Sequence, residues 1–539
     1  MSNSSTARLP QSENDKSFVR PSSSTGNDVF PFSVKESGIF QVHFYNRSSD
    51  SVTQVTSGDD DSFVEDISKN GRYILIRTFA QNLVGPMNPV PQLILRDTTN
   101  PSGQFQLLSE EGGNEGDKPS INGSINSDAS FAVWQSKSTN FDGTTNGFFQ
   151  IFRKNLSSGT LNMISRGESG TKGDNHSSNP IFEESNKIVF DSKSSNFINQ
   201  NTGNTRQIYR KNTSNGNVDL VSKSGKRGSS WSPEILQNGI AFLTNDSEIV
   251  GTVDKKAEIP TQVAKKEGSF SLLSKDEQGR ISFKECKQVS GAENSNEVVF
   301  STKAKNLLGE SVSNEQIVGF RPNNSQALLL SVGINDGHGN GKSFHPVITN
   351  DGVNSLFESM ADNLISSDTN NNIDIFLREN WQNLDLPPVS NAGSDIRIDQ
   401  LNNWISLDGS NSYDPEGGKI SYSWSILSKP SSSQAKIINS SNKKALILPD
   451  EDSEYEIQLT VTDEDGNSSS DTMSIFTPEF GAVSSSSTSS VNAAAGVRVR
   501  STKGSFGFFA SANLEENPLE EVQSDLQSSV SLSGASEVV

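Results

Sequence analysis

A repeat of roughly 55 residues constrains this chain more than any other feature. A short apolar strand that opens with glutamine recurs at intervals of 51 to 58 residues. The glutamines are Gln41, Gln92, Gln150, Gln207, Gln262 and Gln316, and Asp374 stands in the seventh copy. Two further landmarks keep the same period: a Ser/Thr-x-x-x-Asn-apolar motif and an apolar strand just before it. Three landmarks in fixed order indicate one structural unit repeated along the chain.

Each unit supplies about four short strands, which is the size of one propeller blade. A single four-stranded sheet cannot bury both of its faces, so neighbouring units must pack face to face until the ring closes. The element before the Asn motif occurs six times and the glutamine element seven times. We therefore predict six blades, with the surplus copy used in ring closure by strands from both ends, and seven blades as the alternative.

A different pattern follows the repeats. Residues 387–477 contain three runs in which apolar and polar residues alternate, the pattern of half-buried antiparallel strands. Trp424 stands where a β-sandwich core needs one large aromatic side chain. The segment is expected to fold as a separate β-sandwich.

Both segments resemble known families. ISKNGRYILIRTFAQNLV (67–84), LILRD (93–97) and the stretch 348–380 are similar to the TolB-like propeller repeat, although Gln replaces the usual Asp before most third strands. NAGSD, LDGSNSYDPEG, YSW and LTVTDEDG, all within 391–466, resemble the PKD (polycystic kidney disease) repeat. The second resemblance implies an immunoglobulin-like sandwich.

The predicted organisation is therefore all-β, with low-complexity ends. Residues 1–29 are expected to be a disordered tail, 30–384 a TolB-like β-propeller, 385–477 a PKD domain and 478–539 a low-complexity, acidic, Ser-rich tail. The two tails hold too little apolar surface to offset the entropy of ordering them.

Charge and cysteine content exclude several classes of function. The chain has 45 Lys and Arg against 65 Asp and Glu, a formal net charge of -20, which opposes nucleic-acid binding and docking on anionic lipid. No apolar run approaches the ~18–20 residues of a membrane helix, so no membrane insertion is expected. The single cysteine, Cys286, excludes an internal disulfide framework and a Cys-based zinc site.

The sequence offers no catalytic motif. A serine hydrolase behind a propeller would need G-x-S-x-G and a later histidine on an α/β domain, and PKD occupies that place. The four histidines are scattered without metal-ligand spacing. We predict no catalytic residues and lean toward a protein that is not an enzyme.

Calcium is the cofactor that the sequence favours, because hard cations take several oxygens from closely spaced Asp and Asn. One candidate loop carries Asp368, Asn370, Asn372 and Asp374. Others are the loop with Asp142 and Asn146, the triplet 59–61 and the turns of the PKD segment. Ordinary Asx-turns, in which these side chains cap their own backbone, are the alternative for every loop.

Two further residue sets are considered for binding. The repeated glutamines are interpreted as polar positions on the outer face of each blade. Trp404, in QLNNWISLD, stands where PKD repeats usually have a small or β-branched residue, so it is predicted to be partly exposed and to contact a glycan or protein.

The composite prediction is a modular bacterial binding or adhesion protein, a monomer outside the cell or on its surface. The propeller would be the platform for protein or glycan ligands and the PKD domain a spacer or adhesion module. One alternative is an accessory or cryptic component of a carbohydrate-active or proteolytic hydrolase, and another is a TolB-like periplasmic interaction component. The first thirty residues contain no apolar signal segment, so the export route is not visible.

Overall fold

The structure of the protein is a computed structural model. It describes residues 5–9, 29–477, 497–502 and 505–510, apart from gaps at 86–87, 101–102, 143–145, 200–201, 203–204, 223–227, 252–258, 277–278, 309–311, 323–325, 335–336, 367, 369–371, 382–386 and 415–418. The chain divides into two compact units, Met1–Asp385 and Leu386–Val539.

The first unit is a ring of antiparallel sheets. In the described residues five sheets have four consecutive strands, one has three, and one joins three strands to the N-terminal strand. In chain order the elements are β1 (Ser5–Arg8), β2 (Val29–Glu36), β3 (Ile39–Asn46), β4 (Ser51–Gln54), β5 (Ser62–Ile67), β6 (Tyr73–Thr78), β7 (Gln92–Asp97), β8 (Gln106–Leu107), β9 (Glu110–Glu111), β10 (Asn114–Glu115), β11 (Ser120–Ile125), β12 (Phe131–Ser136), β13 (Gln150–Asn155), β14 (Leu161–Met163), β15 (Ser177–Glu184), β16 (Lys187–Ser192), β17 (Gln207–Asn212), β18 (Val218–Leu220), β19 (Ser230–Leu236), β20 (Gly239–Thr244), α1 (Ser247–Val250), β21 (Gln262–Glu267), β22 (Ser269–Leu272), β23 (Cys286–Gly291), β24 (Val298–Thr302), α2 (Lys305–Leu308), β25 (Gln316–Arg321), β26 (Gln326–Leu329), β27 (Ser343–Ile348), β28 (Ser355–Ser359) and β29 (Asp374–Glu379).

These sheets are seven blades. Blade 1 is β2–β4, blade 2 is β5–β8, blades 3 to 6 are β11–β14, β15–β18, β19–β22 and β23–β26, and blade 7 is β27–β29 with β1 on its outer edge. Apolar clusters fill the space between adjacent blades; Phe30 and Phe32 of blade 1, for example, pack against Leu356 and Leu377 of blade 7. The all-β propeller class is confirmed.

The blade count is seven, the alternative count, rather than six. Gln41 pairs with Val34 as Gln92 pairs with Thr78, so β2, β3 and β4 correspond to the second, third and fourth strands of the other blades. Blade 1 therefore has no inner strand among the described residues. The apolar strand before the Asn motif, which is the inner strand of a blade, occurs six times although there are seven sheets. The number of blades that it predicted was therefore one too low.

The ring closes through the N-terminus. Strand β1 pairs with β29 over four residues, from Ser5 opposite Glu379 to Arg8 opposite Phe376. Leu9, next in the chain, is 2% exposed in the cluster between blades 7 and 1. This part of the segment 1–29, which was expected to be disordered, is a strand because the open edge of β29 satisfies its backbone and blade packing covers Leu9. Residues 10–28 lie outside the described part.

The repeated glutamines are buried, so the prediction that they lie on an outer face was wrong. All six are at most 5% exposed. In blades 1 to 6 the glutamine Oε1 accepts a hydrogen bond from a Ser or Thr hydroxyl of the loop after the last strand of the blade, as Ser165 does to Gln150 at 2.5 Å. The glutamine Nε2 donates to a loop carbonyl, that of Gly173 in the case of Gln150 (3.0 Å). The pairs are Gln41–Thr56, Gln92–Ser109, Gln150–Ser165, Gln207–Ser222, Gln262–Ser274 and Gln316–Ser331.

The second landmark has a similar structural role. Asn140 accepts the backbone N–H of Asp117 at 3.2 Å and donates to the carbonyl of Glu115 at 2.7 Å, which ties two loops at the same end of the blade together. Asn196 makes the equivalent bonds with Asp174 and Lys172. The constant spacing within the repeat thus reflects loop anchoring.

The second unit is a β-sandwich. Its sheets are β30 (Ile396–Arg397), β36 (Ser468–Phe476), β35 (Glu454–Thr462) and β32 (Ser421–Ser428) in one layer, and β31 (Ile405–Asp408), β34 (Lys444–Ile447) and β33 (Ile437–Ile438) in the other. Trp424 is 3% exposed in the core between them, as predicted, and its Nε1 donates to the carbonyl of Asn442 at 3.1 Å. A further hairpin pairs β37 (Val497–Thr502) with β38 (Ser505–Ala510), within the segment expected to be low-complexity tail.

Candidate functional site

The inner strands of blades 2 to 7 each break their register at a β-bulge. In five of them the bulge holds a residue other than glycine in the left-handed region: Asn122 (φ 51°), Asn179 (52°), Ser232 (51°), Gln288 (52°) and His345 (46°). A bulge re-aims a side chain relative to the regular pleat, and such backbone conformations concentrate at functional sites. The repeat therefore places five polar side chains around one cavity at the centre of the ring, the channel, which the inner strands line.

These five residues line a cavity of about 520 Å³. Aromatic and apolar side chains complete its wall, among them Trp231, Phe182 and Ile235. The volume falls in the range of small-molecule sites, about 300–1,000 Å³, which typically combine apolar walls with a few placed polar groups. The channel is therefore the candidate binding site of the propeller.

Hydrogen bonds between blades hold the polar ring in place. Asn122 Nδ2 donates to Asn179 Oδ1 at 3.0 Å, and Asn179 Nδ2 donates to Asp191 Oδ2 at 2.7 Å. The backbone N–H of Ser232 reaches the same Asp191 oxygen at 3.2 Å. Asp191 thus connects blade 4, to which it belongs, with the bulge of blade 5.

Asp191 is fully buried and lies 2.7 Å from Arg206 Nη1. Burial raises the pKa of Asp191 above its usual range, while the Arg206 guanidinium and the donors from Asn179 and Ser232 act in the opposite direction. A carboxyl group that is enclosed by three donors has little capacity left for a ligand. Its role is to position Asn179 and the bulge of blade 5.

On the blade 7 side a histidine faces the cavity. His345 Nδ1 lies 3.1 Å from Glu358 Oε1, and the His345 backbone N–H donates to Gln288 Oε1 at 2.9 Å. Glu358 is 1% exposed, so a buried carboxylate fixes the orientation of the imidazole ring.

Most of the charge around the channel is compensated within the protein. Glu65 pairs with Arg77 at 3.1 Å and Glu183 with Arg210 at 2.7 Å. Lys69 of blade 2 pairs with Glu293 of blade 6, and both residues line the cavity. The middle of the channel thus offers mainly neutral donors and acceptors, from amides, a hydroxyl group and an imidazole.

Cys286 also lines this cavity, at a position where five other inner strands begin with serine. Burial raises the pKa of its thiol to about 11, so the thiolate needed for nucleophilic attack is scarce at neutral pH.

The first predicted calcium loop is occupied by an arginine of the closing strand. Arg8 Nη1 lies 3.4 Å from Asp368 Oδ1 and 3.4 Å from Asp374 Oδ2. Asn372 belongs to the same loop, and Asn370 lies outside the described residues. The structure therefore brings two of the predicted carboxylates together around a guanidinium group. A calcium ion would have to displace it.

The other predicted loops make turn and loop contacts. Asp142 Oδ2 accepts the backbone N–H of Met163 at 3.0 Å, and Asp142 Oδ1 is 3.5 Å from Arg166. Asn146 is exposed, with a left-handed φ of 53°. Asp59 accepts the backbone N–H of Gln81 at 2.8 Å. Among the described residues, no group of three or more His, Cys, Asp or Glu side chains is arranged to hold a metal ion.

Trp404 lies at the surface of the second unit, just before β31, with 54% of its area exposed. Its predicted contact with a glycan or protein stays a prediction.

The ring of bulge residues in the channel was not predicted from the sequence, although its members share a position in the repeat. Each of them stands two residues after the first residue of an inner strand: Asn122, Asn179, Ser232, Gln288 and His345.

Comparison with known proteins identifies the second unit. Residues 392–476 match the model of a PKD domain family. The human low-density lipoprotein receptor-related protein 11 is 35% identical over 94 residues, which is 17% of this chain and 18% of that protein. The chain thus spans less than a fifth of the length of this relative.

Solved structures similar to the propeller are remote. Oligogalacturonate lyase from Vibrio parahaemolyticus is 12% identical, with a TM-score of 0.45 over 69% of this chain and 93% of that one. TolB from Acinetobacter baumannii is 13% identical, with a TM-score of 0.31 over 66% of this chain and 78% of that one. None of the described helices is long and apolar enough to cross a membrane. The seven sheets of the first unit and the family match of the second show that the chain is a seven-bladed β-propeller followed, at residues 392–476, by a PKD domain.

Proposed function

We propose that this chain is a non-enzymatic, modular binding protein that acts outside the cell, and that the propeller channel holds a small glycan. The PKD domain would serve as a spacer or adhesion module. The observation that carries the proposal is the ring of five bulge residues around a cavity of about 520 Å³.

The chemistry of the wall supports a sugar ligand. Asn122, Asn179, Ser232 and Gln288 offer paired donors and acceptors, which match the hydroxyl groups of a sugar. Trp231 lines the same wall, and an aromatic ring provides an apolar surface against which a sugar ring can pack. Most carboxylates at the rim already have cationic partners, so a cationic ligand would find few unpaired charges.

The test is a glycan array, followed by titration of the best glycan against Asn122→Gly. Glycine keeps the left-handed backbone at this position without strain and removes the amide that donates to Asn179. We expect the affinity to fall about tenfold, the cost of one hydrogen bond in a buried site.

The matched control is Asn439→Gly, which makes the same change at a left-handed position (φ 57°) of the PKD domain. It is expected to bind like the unmodified protein. An array without any glycan above background, or equal affinities for Asn122→Gly and the unmodified chain, would contradict the proposal.

One observation favours a second candidate, a weak hydrolase activity. His345, oriented by the buried Glu358, lines the same cavity as Trp231, and an imidazole held by a carboxylate is a usual general base. If the bound glycan is cleaved, and His345→Gln abolishes cleavage while binding persists, the protein is an enzyme rather than a binding module.

Calcium remains a proposal for the loop around Asp368 and Asp374. Because the Arg8 guanidinium lies against both carboxylates, a calcium ion must compete with it. We expect millimolar calcium to raise the unfolding temperature of Arg8→Ala by several degrees and that of the unmodified protein by less. Equal shifts in both proteins, or no shift in Arg8→Ala, would exclude calcium from this loop.

A further inference from the structure

Positively charged side chains collect at the end of the channel where the inner strands begin, on blade 4. His176 precedes β15, Lys193 follows β16 and Arg206 precedes β17, so they stand at the ends of three adjacent strands. The strand registers bring Lys193 between the other two, and its backbone N–H donates to the His176 carbonyl at 3.0 Å. Like charges side by side on adjacent strands are destabilising. A bound anion would remove this cost.

A lysine of blade 3 reaches the same place. Lys137 Nζ lies 4.8 Å from the centre of the Phe149 ring, and the centre of the His176 ring lies 5.9 Å from that of Phe149. Burial lowers the pKa of the His176 imidazole, and three nearby cations lower it further. They are Lys137, Arg206 and Lys193. Lys137, His176, Lys193 and Arg206 are called the basic cluster.

The imidazole of the basic cluster is a neutral donor. His176 Nδ1 accepts the backbone N–H of Phe149 at 3.1 Å, so in the neutral ring the hydrogen is on Nε2. Phe148 packs edge-on against the same ring, with 5.1 Å between the ring centres. The Nε2–H group therefore adds a hydrogen-bond donor that suits an anion and not a metal ion.

Carboxylates compensate only part of the positive charge. The buried Asp191 pairs with Arg206 through Oδ1 at 2.7 Å. Lys193 is exposed and forms no ion pair with any residue that the structure describes. Three cations against one carboxylate leave the basic cluster with two positive charges.

The surrounding connections do not reverse this balance. Residues 137–149, 164–176, 193–206 and 221–229 connect the strands of blades 3 and 4 at this end and lead into blade 5. Their sequences contain eight cationic and three acidic residues: Lys137, Arg166, Lys172, Lys193, Arg206, Lys223, Lys226 and Arg227 against Asp142, Glu168 and Asp174. Asp174 accepts the hydroxyl of Ser195 at 2.5 Å, and Asp142 lies 3.5 Å from Arg166.

The propeller repeat does not require cations at these positions. In blade 5 the backbone N–H of Asn245 donates to the Ser229 carbonyl, the same bond that Lys193 makes with His176, and both side chains are neutral. In blade 2 the corresponding bond joins Phe79 to Asp61, which has the opposite charge. The charge of the basic cluster is thus particular to this part of the ring.

We propose that the basic cluster binds the phosphate monoester group of a small molecule, at a site separate from the polar ring of the channel. A phosphate monoester carries a charge of about −1.5 to −2 at neutral pH and three strong acceptor oxygens. It therefore matches two uncompensated positive charges and the donors of Lys193, Arg206 and His176. A carboxylate or a sulfate ester brings a single negative charge and would leave one cation uncompensated.

The experiment is isothermal titration calorimetry of the full chain at low ionic strength with inorganic phosphate, glucose 6-phosphate and glucose 6-sulfate. Lys193→Gln removes one charge of the basic cluster. The matched control, Lys284→Gln, makes the same change at an exposed lysine at the same end of blade 6. Because both lysines are exposed, the unfolding temperatures of the two variants should equal that of the unmodified chain.

We expect glucose 6-phosphate to bind the unmodified chain and the control at least as tightly as inorganic phosphate does, and to lose about tenfold in affinity with Lys193→Gln. Glucose 6-sulfate should bind more weakly than glucose 6-phosphate. Absence of binding by glucose 6-phosphate, equal affinities for Lys193→Gln and Lys284→Gln, or equal affinities for the two esters would overturn the proposal. Inorganic phosphate contains no sugar, so its binding does not depend on a glycan site in the channel.

Discussion

Replacing Arg8 by Ala is expected to destabilise the propeller by about 3–5 kcal/mol, the cost of removing one partner from a buried ion pair. Arg8 lies 3.4 Å from both Asp368 and Asp374, and the Asp374 side chain is completely buried. Without the guanidinium, a buried carboxylate loses its counter-charge at the place where the closing strand β1 joins blade 7. Chemical denaturation followed by tryptophan fluorescence measures the loss.

The double variant Arg8→Ala with Asp374→Asn tests whether charge is the cause. Removing the carboxylate as well should restore a large part of the lost stability, because an amide costs less to bury than an unpaired charge. Arg397→Ala, an arginine of the PKD domain that lies over Phe476, provides the comparison and should leave the propeller transition unchanged. If Arg8→Ala unfolds at the same denaturant concentration as the unmodified chain, β1 does not stabilise the ring.

The ring closure also shows how far the sequence predicts the fold. The period of the landmarks was enough for the propeller, because each landmark marks the same strand in every blade that carries it. The blade count needed more: β2, VFPFSVKE, has eight residues that all pair with β3, but it lacks the motif that identifies second strands elsewhere. A strand can occupy a repeated position through pairing and packing alone, and a motif count then misses it.

The glutamines show a different limit. Alternation along a strand shows which residues share one face of the sheet. Because neighbouring blades cover both faces of a blade, a polar residue on either face can be buried. Gln150 and its counterparts therefore lie in a buried interior although they are polar. What identifies them is a partner about fifteen residues later, the Ser or Thr of the following loop, and that pairing is visible in sequence only once the connection is known.

The channel site could be predicted least. A β-bulge changes which way one residue points, and the sequence pattern does not show where the pleat is interrupted.

The second large effect is expected from Gln150→Leu, which should destabilise the propeller by about 2–4 kcal/mol. Leucine is of similar size, so the packing volume is nearly kept, but the hydrogen bonds at both ends of the amide are lost. The Ser165 hydroxyl loses its acceptor at 2.5 Å, and the Gly173 carbonyl loses a donor at 3.0 Å in a site without solvent access. Ser165 also accepts the backbone N–H of Ile151, so a shift of its hydroxyl loosens the start of the third strand.

A double-mutant cycle distinguishes a stability loss caused by the Gln150–Ser165 hydrogen bond from one caused by the change in side-chain volume. Ser165→Ala alone leaves the Gln150 oxygen without this donor, whereas Ser165→Ala with Gln150→Leu removes both polar groups, so the double variant should lose clearly less stability than the two single losses added together. Gln237→Leu, the same substitution at an exposed position, should change stability by less than about 0.5 kcal/mol. Additive losses in the cycle would mean that the repeated glutamine fills space and that its hydrogen bonds do not hold the blade. Because the same pair recurs from Gln41–Thr56 to Gln316–Ser331, a coupled result in one blade predicts the same coupling in the other five.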